Sequence, residues 1–203
     1  PGGDIPTDLP HVAFSGRSNV GKSSLINRLL RRHKAKIAHV STRPGKTRTL
    51  NFFRVNDRFY LVDLPGYGYA EVPDKMRDSW RALIEGYLEG PRRPRGVVHL
   101  VDARHDPTSL DEQMVRYLAG IGLPTLVVLT KLDKLKRSER AGVVERATRT
   151  LSVDSDQILP FSSKTGEGRE ELLDALDALL EAEPEPRPPD PEDLARGRGL
   201  GQG

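Results

Sequence analysis

The stretch GRSNVGKSS, Gly16 to Ser24, sets two glycines, a lysine and a pair of serines directly behind the apolar run HVAF. Gly16-x-x-x-x-Gly21-Lys22-Ser23 is the spacing of a phosphate-binding loop. Its glycines let the backbone curl until several N–H groups face one anion. Lys22 is then placed to reach β- and γ-phosphates, and the Ser23 hydroxyl to hold Mg2+. Arg17, Ser18, Asn19 and Val20 complete the loop. Ser24 leads into LINRLLRR, where Leu25, Ile26, Leu29 and Leu30 recur at helical spacing. A helix starting there turns the positive end of its dipole toward a bound phosphate. An ordinary Gly-rich turn is the competing explanation, and the strand before and helix after it argue for the ligand.

Three further motifs each follow an expected strand. In DLPG, Asp63 is suited to hold Mg2+ through a water, Leu64 and Pro65 carry the turn, and the Gly66 N–H is placed to sense a γ-phosphate. An aspartate that merely starts a turn explains D-x-x-G equally well. In TKLD, Thr130, Lys131 and Asp133 follow a buried strand. A carboxylate there accepts from both N1–H and the exocyclic amine of guanine, a donor pair adenine lacks. In SSK, Ser162, Ser163 and Lys164 end the last strand, where a backbone N–H is placed to meet the guanine O6. A surface Lys/Asp pair and a plain strand end are the bland explanations. Four motifs in this order, each behind its own strand, point to a guanine nucleotide.

The elements that must position them alternate. Strands are expected at VAF, as a hairpin in LNFFRVNDRFYLVDLP turning near Asn56-Asp57, and at GVVHLVDAR, PTLVVLTKLDK and QILPFSS. Helices are expected at the first apolar-periodic segment, DKMRDSWRALIEGYLEG, SLDEQMVRYLAG, SERAGVVERATRTL and REELLDALDALLEA. That alternation predicts a three-layer α/β/α fold around a mostly parallel six-stranded sheet. Ligands of such sheets sit at the carboxyl ends of the strands. Residues 1–10 are expected as an N-terminal extension, 11–182 as the folded domain, and 183–203, rich in Pro and then Gly, as a mobile tail without a core.

The 203 residues suffice for one sizeable core. The absence of cysteine excludes disulfides and thiol chemistry. No apolar run approaches the roughly 20 residues of a membrane helix, so a cytoplasmic protein without a membrane partner is expected. Net charge is only +3, yet twelve Lys or Arg and one acid, Asp57, lie between His11 and Tyr60.

GRSNVGKSSLIN, STRPGKTRTLNFF, LVDLPGYGYAEVP, LTKLDKL and FSSKTGEG, with VDARHDPTSLDEQM between them, resemble the EngB (YihA/YsxC) family of bacterial ribosome-assembly GTPases, within the TRAFAC class of P-loop GTPases. The segments spread over residues 12 to about 180. The resemblance implies one compact domain hydrolysing GTP to GDP with Mg2+, a role in maturing the large ribosomal subunit, and a link to normal cell division and septation. It also implies that Thr47 in PGKT, beside Gly45 and Lys46, is the switch threonine closing on Mg2+ and the γ-phosphate, with Thr42 and Thr49 as nearby competitors.

Ras-type enzymes orient water with a glutamine directly after D-x-x-G. Tyr67 stands there instead, and its ring is expected to turn away. Slow hydrolysis, stimulated by a ribosomal particle, is the expectation. Asn19 is a candidate to complete the site by holding K+ against the phosphates, or else it stabilises the loop turn. Residues 38–50 and 64–75 are expected to change order with the γ-phosphate. A basic run, Arg28, Arg31, Arg32, Lys34 and Lys36 with Arg43, Lys46 and Arg48, is the expected docking face for rRNA and ribosomal proteins of the large-subunit precursor. The chain is expected to be monomeric. A small-molecule or nucleotide kinase is disfavoured because it has no need of TKLD. A nucleotide-dependent RNA- or ribosome-binding module with incidental hydrolysis is the remaining alternative.

Overall fold

The computed structural model describes residues 5–32, 37–41, 50–67 and 74–181. The strands are β1 His11–Gly16, β2 Ile37–Ser41, β3 Asn51–Val55, β4 Phe59–Asp63, β5 Gly96–Asp102, β6 Thr125–Thr130 and β7 Ile158–Pro160. The helices are α1 Lys22–Arg32, α2 Asp74–Leu88, α3 Ser109–Gly120, α4 Arg137–Arg140, α5 Val143–Leu151 and α6 Arg169–Glu181.

The strands form one sheet in the order β2-β3-β4-β1-β5-β6-β7. The four pairings from β4 to β7 are parallel, and β2–β3 and β3–β4 are antiparallel. All six expected strands are present, and the sheet has one more than the expected six. Ile37–Ser41 adds β2 at the edge, pairing Val40 with Phe52. Five residues beside a run of Lys and Arg carry too little alternation to announce a strand; the partner β3 supplies the register. Residues 38–41, expected as part of a nucleotide-responsive segment, therefore lie in this strand.

Side chains alternate across the sheet because a strand has a period of two. Val12, Phe14, Val98, Leu100 and Val128 face α1 and α6, meeting Leu25, Ile26, Leu172 and Leu176. Ala13, Val62 and Val97 face α2 and α3, meeting Ile84, Tyr87, Leu88 and Leu118. Val101, Val127 and Leu129 continue that face toward α5. Both faces are covered, as a parallel sheet requires. The expected helix SERAGVVERATRTL is broken into α4 and α5 at Gly142, whose φ of −104° and ψ of 2° leave the helical region. Residues 5–10 lie on the sheet: Ile5 and Leu9 pack on the α2/α3 side, and the Pro10 carbonyl accepts from Tyr60 N–H at 2.8 Å. Residues 182–203, including the expected tail, lie outside the described residues.

The chain leaves β1 for β4 on one side and later crosses to β5 on the other. The strand order thus reverses at β1, and the crevice of a doubly wound sheet opens at that point, outside the carboxyl ends. Gly16, Asp63, Asp102, Thr130 and Pro160 all end their strands along that border.

Candidate functional site

The loop between β1 and α1 is shaped by two glycines. A Cβ on Gly16 would lie 2.9 Å from the Leu100 carbonyl oxygen and 3.0 Å from Val20 Cγ1, so the close approach to β5 requires its absence. Gly21 has φ +104°, a conformation L side chains rarely adopt. Asn19 lies at φ 64°, a left-handed position asparagine tolerates, which gives this residue a backbone role in the turn. The Gly21 carbonyl accepts the first helical bond, from Leu25 N–H at 2.9 Å. The N–H groups of Lys22, Ser23 and Ser24 precede it, in the first turn where a helix offers no internal acceptor.

Lys22 is ion-paired with Asp63, and both side chains are largely buried. The Leu64 N–H bonds the Phe14 carbonyl at 3.0 Å, which aligns D-x-x-G with β1. Ser18 N–H donates to the Tyr67 carbonyl at 3.0 Å, and Arg17 and Tyr67 form a parallel bridge. Gly66 is pressed between them: a Cβ there would meet Ser18 at 3.2 to 3.3 Å. Leu64 is buried in the core, while Pro65 and Gly66 are half-buried.

The base-side motifs are tied to this loop. Thr130 Oγ1 donates to the Val20 carbonyl at 2.6 Å. Lys131, left-handed at φ 61°, donates from Nζ to the Asn19 carbonyl at 2.6 Å and to Asp102 Oδ2 at 2.9 Å. Burial alone would raise the Asp102 carboxyl; hydrogen bonds from Arg104 and Lys131 outweigh it and bring the group down to about 2. Ser162 Oγ, fully buried, donates to Asp133 Oδ1 at 2.7 Å and accepts from Thr165 N–H at 3.2 Å. Ser163 is half-buried and Lys164 exposed beside it.

The structure thus gathers Gly16 to Ser24, Asp63 to Gly66, Thr130, Lys131, Asp133 and Ser162 to Lys164 along one border of the sheet. Gly45, Lys46 and Thr47 lie outside the described residues, as do Lys34, Lys36, Arg43 and Arg48. Arg28, of the expected docking run, donates from its guanidinium to the Thr165 carbonyl at 3.2 Å.

Mg2+ fits the donor set. The Ser23 hydroxyl is on an exposed residue and Asp63 supplies a carboxylate, hard oxygen ligands of the kind Mg2+ takes alongside phosphate oxygens and water. Among the described residues no group of three His, Cys, Asp or Glu forms a metal cage of its own.

Sequence reasoning missed two features. Asp102 ends an apolar strand, and its bond to Lys131 was not foreseen. A buried polar cluster joins Tyr67, His99 and Asp111, and the only sequence cue was a histidine in the apolar run GVVHLVD.

The family described as 50S ribosome-binding GTPase matches residues 11–131. The Gemmatimonas aurantiaca protein named probable GTP-binding protein EngB is 54% identical over 172 residues, covering 85% of this chain and 83% of its own. The chain belongs to the EngB family of GTP-binding proteins. The Halothermothrix orenii EngB protein is 49% identical, with coverage of 86% and 90%. A crystal structure of a probable EngB protein superposes with a TM-score of 0.69 at 26% identity, over 84% of this chain and 98% of that one. The elongation factor Tu GTP-binding domain family also matches residues 87–182, the half that carries TKLD and SSK. Membership in EngB makes the chain a P-loop GTPase and a binder of guanine nucleotides. No helix among the described residues is long and apolar enough to cross a membrane.

Proposed function

We propose that this EngB-family protein is a Mg2+-dependent GTP switch that acts on the large ribosomal subunit during its assembly, in the cytoplasm, with normal division and septation depending on it. The observation that carries the nucleotide assignment is the Asp133 carboxylate, oriented by Ser162 and joined through Lys131 to the phosphate loop. One residue pair thus reads the base while its neighbour braces the loop that holds the phosphates. The ribosomal assignment rests on the description of the matching family and on the basic stretch from His11 to Tyr60.

In this reading Gly16 to Ser24 wrap the phosphates with backbone N–H groups. Lys22 exchanges Asp63 for the β- and γ-phosphates, a competition the existing ion pair sets up. Ser23, Asp63 through a water, and Thr47 would hold Mg2+, which neutralises charge on the phosphates when bound. Water attacks the γ-phosphorus and the bond to the β-phosphate oxygen breaks, leaving GDP and phosphate. Tyr67 is turned into the protein, so no side chain directly after D-x-x-G orients that water, and hydrolysis is slow until a partner or a cation completes the site. Asn19, with its residue exposed at the loop tip, is the proposed K+ ligand.

Asp133→Asn tests the base assignment. An amide cannot accept both guanine donors, so GTP affinity falls by several kcal/mol and xanthosine triphosphate becomes the preferred ligand. Unchanged GTP affinity overturns it. The ribosomal role is read by co-sedimentation with large-subunit particles. Binding that differs between a non-hydrolysable GTP analogue and GDP, and is lost in an Arg31, Arg32 and Lys34 to Glu variant, supports it. Binding indifferent to both contradicts it.

A further inference from the structure

Tyr67 is held at two points. Its carbonyl accepts from Ser18 N–H in the phosphate loop at 3.0 Å. Its phenol reaches 3.0 Å from Asp111 Oδ1 and 3.2 Å from His99 Nε2, with the phenol ring stacked on the imidazole at 7°. His99 is fully buried in β5, and its Nδ1 lies 2.9 Å from Ser15 Oγ, the residue before the phosphate loop. Asp111 is 2% exposed, and its second oxygen accepts from Thr108 N–H at 2.8 Å and Thr108 Oγ1 at 2.7 Å, capping α3.

One direction of hydrogen bonding satisfies every atom of a neutral imidazole in this cluster. The Asp111 carboxylate only accepts, so the phenol proton goes to it. The phenol oxygen then accepts from His99 Nε2–H, and Nδ1 accepts from the Ser15 hydroxyl. Burial pushes the Tyr67 phenol up, and the Asp111 charge pushes it further, so the donor stays protonated. For Asp111, burial pulls upward, but the His99 ring, with Nε2 3.7 Å away, and hydrogen bonds from Thr108 prevail and hold the carboxyl below its ordinary range. The chain of bonds ends in a charged acceptor, where hydrogen bonds are strongest.

Three loops meet in these bonds: the one after β1, the one after β4 and the one after β5. Gly66 directly precedes Tyr67 and packs against Ser18, where a Cβ would lie 3.2 to 3.3 Å away, and its N–H is the group expected to meet a γ-phosphate. We infer that Tyr67 is a positioning residue for this GTPase: its phenol, fixed by His99 and Asp111, sets the place of the Gly66 amide against the phosphate loop. The inference rests on the guanine-nucleotide switch proposed above. It assigns to the residue in the glutamine's position a task away from the water, through a buried polar cluster drawn from three separate segments.

The test uses the full chain and compares Tyr67→Phe with the parent. Phenylalanine keeps the ring and its stacking and removes only the hydroxyl. Affinity for GDP, which has no γ-phosphate, is expected within twofold of the parent, while affinity for a non-hydrolysable GTP analogue and the single-turnover hydrolysis rate each fall about tenfold, the worth of one hydrogen bond to a charged group. Asp111→Asn is expected to lose the analogue-over-GDP preference likewise, and the double variant to lose no more than the worse single one, because both act through one bond. Equal losses for GDP and analogue, or no loss for either, overturn the positioning role, as do multiplicative losses in the double variant. If the parent binds both nucleotides but does not hydrolyse GTP, the hydrolytic reading fails, and the ratio of analogue to GDP affinity still decides for or against Tyr67.

Discussion

Thr130→Val separates what the TKLD threonine does from what its neighbours do. The side chain is 1% exposed, and its hydroxyl gives its one proton to the Val20 carbonyl at 2.6 Å, with the Val101 carbonyl a longer second acceptor at 3.2 Å. Valine nearly conserves the volume and removes the donor. Val20 is itself buried, so its carbonyl loses its partner where water does not readily replace it. Leaving such an acceptor unpaired costs about 2 kcal/mol. With a urea dependence of about 2 kcal/mol/M, the denaturation midpoint falls by about 1 M. The same bond braces the loop that faces the phosphates, so GDP affinity drops about tenfold at a temperature where the variant is folded. Thr130→Ser, which keeps the hydroxyl, should recover most of both losses. Urea denaturation followed by far-ultraviolet circular dichroism, with fluorescent-GDP titration, reads the two effects. A midpoint within about 0.2 M of the parent and unaltered GDP affinity would refute the reasoning, since the bond would then contribute nothing measurable.

GTP hydrolysis should be faster in KCl than in NaCl at equal ionic strength, and Asn19→Ala should erase the difference while nucleotide still binds; equal rates in the parent leave Asn19 with its left-handed turn alone. His11 is buried among Phe52, Tyr60 and Tyr87, and burial lowers it below its ordinary 6.5 against the opposing pull of the Pro6 backbone and Asp8. The unfolded chain therefore takes up this proton at higher pH than the folded one. Stability from this residue is complete above about pH 6.5 and is lost as pH falls from there toward the folded value. Denaturation midpoints from pH 8 to 5 should show that decline, and it should flatten in His11→Phe; an equal decline in both chains assigns it elsewhere. Gly168→Ala should lower stability by about 3 kcal/mol or more, because φ is +77° and a Cβ would lie 2.1 Å from the Pro160 carbonyl oxygen; a loss below about 1 kcal/mol contradicts the backbone geometry.

The nucleotide border was legible because its chemistry is local. Gly16, Gly21, Lys22 and Ser23 fall within eight consecutive positions, and each remaining motif is a short run after an apolar strand. Alternation of strands and helices then gave the layers. What stayed hidden depends on contacts distant in sequence. Ser15 meets His99 only because β1 and β5 lie side by side in parallel register, placing Ser15 opposite His99. Asp111 looks like an ordinary helix cap, and its second oxygen does cap α3; the first turns inward to Tyr67. β2 is specified by its neighbour β3 rather than by its own five residues. The break at Gly142 reflects a glycine that holds a helix poorly, a property invisible to a count of apolar positions.

The reversal of strand order at β1 has a consequence for how the site comes into being. The Asn56-Asp57 turn, with both φ angles positive, closes the β3–β4 hairpin from neighbouring residues, so that unit can form early and alone. β1, which carries the phosphate loop, is enclosed on its second side only when β5 arrives some eighty residues later, and Ser162 orients Asp133 only after β7 has been laid down. As a chain emerges from its N-terminus, the phosphate-loop motif is made first and the Ser162 end of the proposed base site last. In the proposed reading, guanine selectivity is therefore a property of the finished domain. A fragment running from the N-terminus to a point between residues 134 and 161 has the phosphate-loop motif but lacks the hydroxyl that bonds the Asp133 carboxylate.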